Sequence, residues 1–281
     1  MKSKLKLTMW ILIALLFALI VVLVIIENNM VELNKYDVST SKLSSEFNLK
    51  IAHVSDFHNT RLKDKTVERL KEAEPDIIVV TGDLIDSRKT NVQISVDFMT
   101  EAVKIAPCYY VTGNHESRTP ESLNELLVAL NNIGVTVLRN ESTLLDVNGE
   151  KINIIGIEDP MFTLKRDSTK KAKATVYESL KPLVSKEYYD LVLCHRPEVF
   201  DSYVSLGVDL ALSGHAHGGQ VRLPLIKGII SPNQGIFPRY TEGLYTKENT
   251  NMIVSRGVGN SLIPFRINNK PEVLLITLKG E

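Results

Sequence analysis

The sequence predicts an α/β domain preceded by one membrane-spanning helix. Three strand–helix units follow one another between residues 49 and 132, an uninterrupted apolar segment occupies residues 9–26, and short polar motifs come directly after the apolar strands. Strands that alternate with helices are typical of a mostly parallel sheet covered by helices. The chain has 281 residues, so it can hold one large domain or two small ones.

The apolar segment runs without interruption from Met9 to Ile26, after Lys2, Lys4 and Lys6. Eighteen residues at about 1.5 Å each cross most of the roughly 30 Å of hydrocarbon in a bilayer. The alternative is a cleaved signal peptide, which has an apolar stretch of about 7–15 residues and a small-residue cleavage site. No such site follows here, which favours an uncleaved anchor.

The charges that flank the apolar segment predict its orientation. Three lysines precede it, whereas Glu27 and Glu32 follow it with only Lys35 nearby. The positive-inside tendency then places residues 1–8 in the cytoplasm. We expect a single-pass protein of the cell membrane with an extracytoplasmic catalytic domain; the alternative is a cytoplasmic domain.

Residues 27–48 are polar and rich in Ser and Thr, so we predict a linker, either a tether or a first edge strand, before a domain that spans residues 49–281. Lysine-rich residues 165–186 predict a surface helix with a solvated basic face, or alternatively one that contacts anionic headgroups. Cys108 and Cys194 lie in apolar runs and are predicted to be core thiols.

The three units share one plan, an apolar strand followed by an amphipathic helix. Their strands are predicted at residues 49–55, 76–81 and 108–112. Asp64 is the expected cap of the first helix, and Thr119-Pro120 is the expected start of the third. Further along, Asn148-Gly149 predicts a hairpin, and residues 190–195 and 208–213 predict buried strands.

The balance of charges gives no support to nucleic-acid binding. Lys plus Arg number 33 and Asp plus Glu number 33, so the formal net charge is zero. A protein without excess positive charge offers no general reason to bind nucleic acid. We therefore expect no nucleic-acid partner.

The histidines of the chain cluster in short motifs that follow predicted strands. The motifs are Asp56-Phe-His58, Gly82-Asp83-Leu-Ile-Asp86, Gly113-Asn114-His115-Glu116, His195 and Gly214-His215-Ala-His217. Ligands bind beyond the carboxyl ends of strands in open α/β sheets, so these side chains can converge although they are distant in sequence.

The side chains in these motifs have the chemistry of a metal site. Carboxylate, imidazole and amide oxygen without thiolate suit Mn, Fe, Zn or Ni, and seven such groups exceed the needs of one tetrahedral ion. The sequence therefore predicts two ions that share a bridging carboxylate. Such a pair can clamp a phosphoryl group and activate water, which indicates hydrolysis of a phosphate ester.

The five motifs, in this order, resemble the signature of the calcineurin-like metallophosphoesterases over residues 49–278, and further stretches resemble a membrane-anchored or exported bacterial branch of that family. The resemblance implies a four-layer α-β-β-α sandwich. It also implies one metal held by Asp56, His58, Asp83 and His217, and a second held by Asp83, Asn114, His195 and His215. The implied cofactors are two divalent transition-metal ions, with Mn, Fe and Zn as candidates.

The same resemblance implies roles for two further residues. His115 would contact the substrate phosphate and assist the leaving oxygen, and Asp86 would orient His115. The expected partner is a phosphorylated substrate, lipid-linked or part of a cell-surface polymer, because the anchor keeps the cleft near the bilayer. The alternative is a non-catalytic metal-binding scaffold at the membrane. The completeness of the motif set argues against this alternative.

Four other residues could have either a structural role or a functional one. His53 lies three positions before Asp56, so strand alternation predicts a core histidine. Arg196, Arg222 and Arg256 lie near motif ends and could hold a phosphate or diphosphate through bidentate hydrogen bonds, but ordinary surface salt bridges explain them as well.

Overall fold

The computed structural model describes residues 2–223, 226–260 and 264–281; Met1 of the predicted cytoplasmic segment lies outside them. The α-helices in these ranges are α1 (Lys2–Asn28), α2 (Lys63–Ala73), α3 (Val92–Ala102), α4 (Asn114–Ser117), α5 (Pro120–Asn132), α6 (Thr169–Leu180) and α7 (Phe200–Leu206). The first eight strands are β1 (Glu32–Thr40), β2 (Asn48–Val54), β3 (Ile77–Thr81), β4 (Cys108–Val111), β5 (Thr136–Val137), β6 (Glu141–Val147), β7 (Glu150–Ile157) and β8 (Tyr189–Cys194). The others are β9 (Leu210–Ser213), β10 (Arg222–Leu223), β11 (Ile226–Gly228), β12 (Ile230–Ser231), β13 (Gly235–Ile236), β14 (Gly243–Lys247), β15 (Thr250–Val254) and β16 (Glu272–Gly280).

Two six-stranded sheets form the centre of the domain. The first sheet has the order β1-β16-β2-β3-β4-β5 and the second has the order β14-β15-β9-β8-β7-β6. Neighbours from β2 to β5 are parallel, as are β7, β8, β9 and β15, so the carboxyl ends of these strands meet at one edge of each sheet.

Strand side chains alternate between two apolar layers, which is why the domain has four layers. In β3, Ile78 and Val80 pack with α2, α3 and α5, whereas Ile77 and Val79 pack against the second sheet. A third apolar cluster joins the second sheet to α6 and α7. The predicted α-β-β-α sandwich is confirmed.

The first helix after β2 begins earlier than the sequence predicts. α2 starts at Lys63 with Leu62 at its N-cap, and no side chain caps it. Asp64 lies inside the first turn and is not the cap. The start of the helix is fixed because Leu62 is buried in the outer apolar cluster. α5, by contrast, starts at Pro120 after Thr119, as predicted.

The interval at residues 27–48 contains the first edge strand and is not a tether. β1 pairs in parallel with β16 from Glu32–Glu272 to Thr40–Gly280. This pairing satisfies backbone groups that β16 would otherwise expose at the sheet edge. The folded domain therefore begins near Glu32 and not at residue 49.

α1 projects from the domain and exposes its apolar side chains. Within the described residues, it is the one helix that is long and apolar enough to cross a membrane, by length and composition. The two cysteines are buried free thiols in separate apolar layers, Cys108 in the outer cluster of the first sheet and Cys194 in that of the second.

Candidate metal centre

The seven residues predicted to bind metal converge at one edge of the two sheets, and all are buried. The first sheet supplies four of them after β2, β3 and β4, and the second supplies three after β8 and β9. They are Asp56, His58, Asp83 and Asn114 from the first sheet, and His195, His215 and His217 from the second.

One group of potential ligands consists of Asp56, His58 and His217, whose ligand atoms lie within 4.8 Å of one another. His217 Nε2 is 3.2 Å from Asp56 Oδ1, and His58 Nε2 is 3.9 Å from the same oxygen. Two side chains from the first sheet and one from the second thus face a common point.

A second group consists of Asp83, His195 and His215, within the same 4.8 Å limit. His195 Nε2 is 3.2 Å from Asp83 Oδ2 and 3.1 Å from His215 Nδ1. The same Asp83 Oδ2 is 3.6 Å from His58 Nε2. Asp83 thus belongs to the second group and also approaches His58 of the first group, which is the position that a bridging carboxylate requires.

The backbone is strained where it delivers these side chains. Asp56, His58, Asp83, His215 and His217 all have positive φ, between 46° and 63°. Left-handed backbone costs energy in residues other than glycine and is concentrated at functional sites. The tight turns that follow β2, β3 and β9 turn these side chains towards one another.

Gly82 is required where two of these turns meet. Its φ is 84°, and a Cβ at this position would lie 2.7 Å from Gly113 Cα and 2.8 Å from His195 Nδ1. Only a residue without a side chain allows the loops after β3 and β4 to approach His195 this closely.

The buried polar atoms fit a metal ion. Both ring nitrogens of His58, Nδ1 of His217 and Oδ1 of Asn114 have no hydrogen-bond partner among the described residues. Buried polar atoms rarely stay unpaired. His195 Nδ1 lies 2.8 Å from the Thr81 carbonyl oxygen, which can only accept, so Nε2 of the neutral ring presents its lone pair to the cluster.

The pKa values divide these histidines into two kinds. Burial lowers the pKa of His58 to about 3 and holds those of His215 and His217 well below the usual value, so these rings are neutral, as metal binding requires. Burial also acts on His195, but the Asp83 and Asp56 carboxylates outweigh it and raise its pKa to about 10. A metal must displace that proton.

His115 lies beside the cluster, with Nε2 4.0 Å from Asp83 Oδ2. The backbone N–H of Ser87 donates to His115 Nδ1 at 3.0 Å, which leaves the proton of the neutral ring on Nε2. Asp86 Oδ1 is 3.5 Å from Nδ1, and the Asp86 carboxylate accepts hydrogen bonds from Arg88. The tautomer is thus set by Ser87, and the orienting role of Asp86 stays a prediction.

Two residues contribute to the site without having been assigned a role from the sequence. Glu116 accepts hydrogen bonds from the backbone N–H groups of Asp83, Ile85 and Gly113, which ties the loops after β3 and β4 together. Its place in the motif beside His115 is a signal that could have identified it. Asn233 Nδ2 lies 3.1 Å from His215 Nε2, and no sequence pattern marks it.

The arginines near the motifs are held in ion pairs. Arg196 is fully buried, and its guanidinium contacts Asp159 at 2.9 Å, Asp167 at 3.1 Å and Glu198 at 3.2 Å. Arg222 pairs with Glu242, and Arg256 pairs with Glu32 and Glu272. Ion pairs explain all three arginines, but Arg196 is not at the surface, and its Nη1 also lies 3.3 Å from His215 Nε2. His53 is a buried core residue, with Nε2 2.7 Å from Thr81 Oγ1.

A cavity of about 220 Å³ opens onto the cluster. Asp83, Asn114, His115, His215 and His217 form its floor, and Arg88 and Arg118 are among its other lining residues. Asp167 also lines this cavity. A buried group of carboxylates and imidazoles with arginines beside it can hold metal ions and bind a phosphate oxygen above them.

The four-layer fold and this buried cluster define a metallohydrolase of phosphoesters. Residues 49–219 match the family model described as calcineurin-like phosphoesterase. The chain belongs to this family, whose members are metal-dependent hydrolases of phosphoester bonds, and the resemblance of its motifs is confirmed.

The relatives and solved structures agree with this assignment. The chain is 31% identical over 266 residues to the metallophosphoesterase YkuE of Bacillus subtilis (strain 168), covering 91% of this chain and 88% of that protein. It is 29% identical to the phosphodiesterase YaeI of Escherichia coli (strain K12), covering 82% of each. The TT1561 structure of Thermus thermophilus shares the fold, with a TM-score of 0.51 at 14% identity over 75% of this chain and 91% of that one.

Proposed function

We propose that this protein hydrolyses phosphodiester or diphosphate bonds at a two-metal centre close to a membrane surface. The observation that supports the proposal best is the pair of ligand groups that meet at Asp83. A single ion would leave part of this buried set without a partner.

Asp56, His58, Asp83 and His217 would hold one divalent ion, and Asp83, Asn114, His195 and His215 would hold the other. Oxygen and imidazole ligands suit Mn, Fe or Zn. Once bound, such a pair would polarise the phosphoryl oxygens and lower the pKa of water at the centre, which would supply a hydroxide nucleophile at neutral pH.

His115 supplies the proton in this scheme. Its Nε2–H faces the cavity because Nδ1 accepts the Ser87 N–H. The carboxylates of Asp83 and Asp86 outweigh burial and raise the pKa of His115, so the ring can take up a second proton at Nδ1 beside Asp86, in place of the hydrogen bond from Ser87. The charged ring then donates its Nε2 proton to the leaving oxygen. Arg88 and Arg118 line the same cavity and complement the charge of a phosphate.

The apolar helix α1 supports a proposed location for the hydrolase domain at the outer face of the cell membrane. We place α1 across the cell membrane with its three lysines in the cytoplasm and the hydrolase domain outside. An enzyme held at that surface would meet lipid-linked phosphates or diphosphates and cell-surface polymers, and the balanced charge of the chain gives no reason to expect nucleic acid.

The experiment that tests the activity uses the full chain in neutral detergent, stripped of metal and then refilled with Mn, Zn or Fe. We expect metal-dependent turnover of bis-nitrophenyl phosphate that exceeds turnover of nitrophenyl phosphate. The Asp83→Asn variant provides the background rate. Tight metal uptake without turnover of either ester would favour the scaffold alternative.

The orientation has its own test. Protease added to intact cells that express the chain should remove the domain and leave α1 in the membrane. A chain with Lys2, Lys4 and Lys6 changed to Glu is the matched comparison, because it has lost the charges that favour this orientation. Protection of the original chain in intact cells, with cleavage only after lysis, would contradict the proposed orientation.

A further inference from the structure

The end of α1 is attached to the hydrolase domain close to the metal centre. Asn28 Nδ2 donates to the Arg266 carbonyl oxygen at 2.8 Å, and the Arg266 N–H donates back to Asn28 Oδ1 at 2.8 Å. Glu27 accepts a hydrogen bond from the N–H of Asn268 at 2.9 Å. The candidate span ends at Asn28, so these contacts lie where the chain leaves the apolar layer.

A cavity of about 500 Å³ lies beside the metal centre. His58 and Asp86, which belong to the predicted site, line its inner part, and Arg61, Lys89 and Pro264 are among its other lining residues. Arg88 lines both this cavity and the cavity above Asn114 and His215, so the two cavities adjoin beside the metal centre.

The outer residues of this cavity are connected to the end of α1. Arg61 Nη2 is 3.5 Å from the side-chain oxygen of Asn29, the residue that follows α1. Pro264 precedes Arg266, the partner of Asn28, by two positions, and Phe265 between them has 44% of its surface exposed. An exposed aromatic ring beside the end of a membrane helix lies where such rings favour the bilayer interface.

The charge of the cavity suits an anion. Arg61, Arg88 and Lys89 line it together with a single carboxylate, Asp86, which is already bound by Arg88 at 2.7 Å. Within the described ranges, neither Arg61 nor Lys89 forms an ion pair. Three cations and one carboxylate leave a net charge of +2 on these four side chains.

We propose that this cavity receives the anionic headgroup of a membrane lipid, whose acyl chains stay in the bilayer beside Phe265 while its phosphoester reaches His58 and Asp86. The inference rests on the proposed hydrolase function and assigns its substrate class, an anionic amphiphile that approaches along the membrane. A soluble ester or an extended polymer would gain nothing from the contact of the cavity with α1.

Binding to the full chain in phosphatidylcholine nanodiscs tests this assignment. The protein is kept metal-free with chelator, so that bound ligand is not hydrolysed, and heats of titration are corrected with empty nanodiscs. The two ligands are dihexanoyl phosphatidic acid and glycerol 3-phosphate, which share a phosphate headgroup and differ in acyl chains.

We expect the lipid to bind at least about tenfold more tightly than glycerol 3-phosphate, because only the lipid can use the bilayer contact. Arg61→Ala/Lys89→Ala should raise the Kd of the lipid about tenfold, the scale of a lost charge-assisted contact. Lys104→Ala/Lys151→Ala removes the same charge from exposed positions outside the cavity and should leave the Kd unchanged. Phe265→Ala should raise the Kd of the lipid and leave the Kd of glycerol 3-phosphate unchanged.

Equal affinity for the two ligands would overturn the membrane assignment in favour of a site for soluble phosphates. An unchanged lipid Kd in Arg61→Ala/Lys89→Ala would overturn the assignment to this cavity. Turnover of bis-nitrophenyl phosphate by the metal-loaded wild type is measured separately. Lipid binding without turnover would contradict the hydrolase, and turnover without selective lipid binding would contradict only this inference.

Discussion

The two sheets contribute different chemistry to the metal centre. The loops after β2, β3 and β4 of the first sheet supply two carboxylates, one amide and one imidazole, whereas the loops after β8 and β9 of the second supply only imidazoles. Asp56 and His58 meet His217, and Asp83 meets His195 and His215, so each ligand group crosses from one sheet to the other. Neither half of the chain contains a complete site.

This division predicts that a metal bound to both ligand groups would also join the two sheets. The apolar layer between the sheets already aligns their strand ends. A metal that takes ligands from both sides adds a contact that exists only in the folded state, and it therefore stabilises that state.

Asp83 is the position where the two halves depend on each other most. Asp83→Asn keeps the shape of the side chain but removes the negative charge that faces His58 and His195. We expect a loss of about 10³-fold in kcat/KM for bis-nitrophenyl phosphate, about 4 kcal/mol in transition-state stabilisation. Asp97→Asn, on the exposed face of α3, is the control and should retain full activity. Activity within tenfold of wild type in Asp83→Asn would contradict the bridging role.

His115 belongs to the first-sheet half and is predicted to act on substrate rather than on metal. His115→Gln should lower kcat about 10²-fold, near 3 kcal/mol, because the leaving oxygen loses its acid. Metal content, measured by elemental analysis, should stay at the wild-type value. Loss of metal from this variant would show that His115 is a ligand instead.

Removal of metal tests whether a bound metal stabilises the association of the two sheets. Chelation should lower the free energy of unfolding by about 3 kcal/mol if the free metal exceeds its Kd by roughly a hundredfold. His58→Ala in the first sheet and His217→Ala in the second should each reduce this metal-dependent increment. Urea unfolding of the full chain in detergent, with and without chelator, measures it. An increment lost in only one variant would mean that a single sheet holds the metal.

His53 offers a contrast within the first sheet, since it is buried there without facing the metal groups. Burial lowers its pKa to about 3, below the 6.5 of an unfolded chain. The unfolded state therefore binds the proton first, and stability falls as pH drops below 6.5 towards 3. At pH 5 the loss is about 2 kcal/mol.

His53→Gln should remove this part of the acid sensitivity, while a polar group stays within reach of Thr81. Unfolding free energies at pH 7.5 and pH 5, with metal present in both, give the measurement. If wild type and variant lose the same free energy between these pH values, His53 is not the residue responsible.

The element pattern of the chain was predictable because apolar strands and amphipathic helices have distinct periods. The strands before Asp56, Asp83 and Asn114 lie where alternation and apolar runs place them. The start of α2 differed, since burial of Leu62 outweighed the capping preference of Asp64. For residues 27–48 the sequence left a tether and a first edge strand open, and only the pairing of β1 with β16 decides for the strand.

The sequence by itself predicted the candidate ligand set, because the chemistry of carboxylate, imidazole and amide side chains is local and each motif follows the end of a strand. It also determined the apolar helix, which depends on composition alone. The tertiary structure decided which side chains meet, that Ser87 rather than Asp86 fixes the tautomer of His115, and that Arg196 is held by Asp159 and Glu198. It also decided that the end of α1 lies against Arg266. Some of these contacts join residues that are far apart in the chain, and others form within a folded loop. The periodic pattern of apolar residues does not predict either kind.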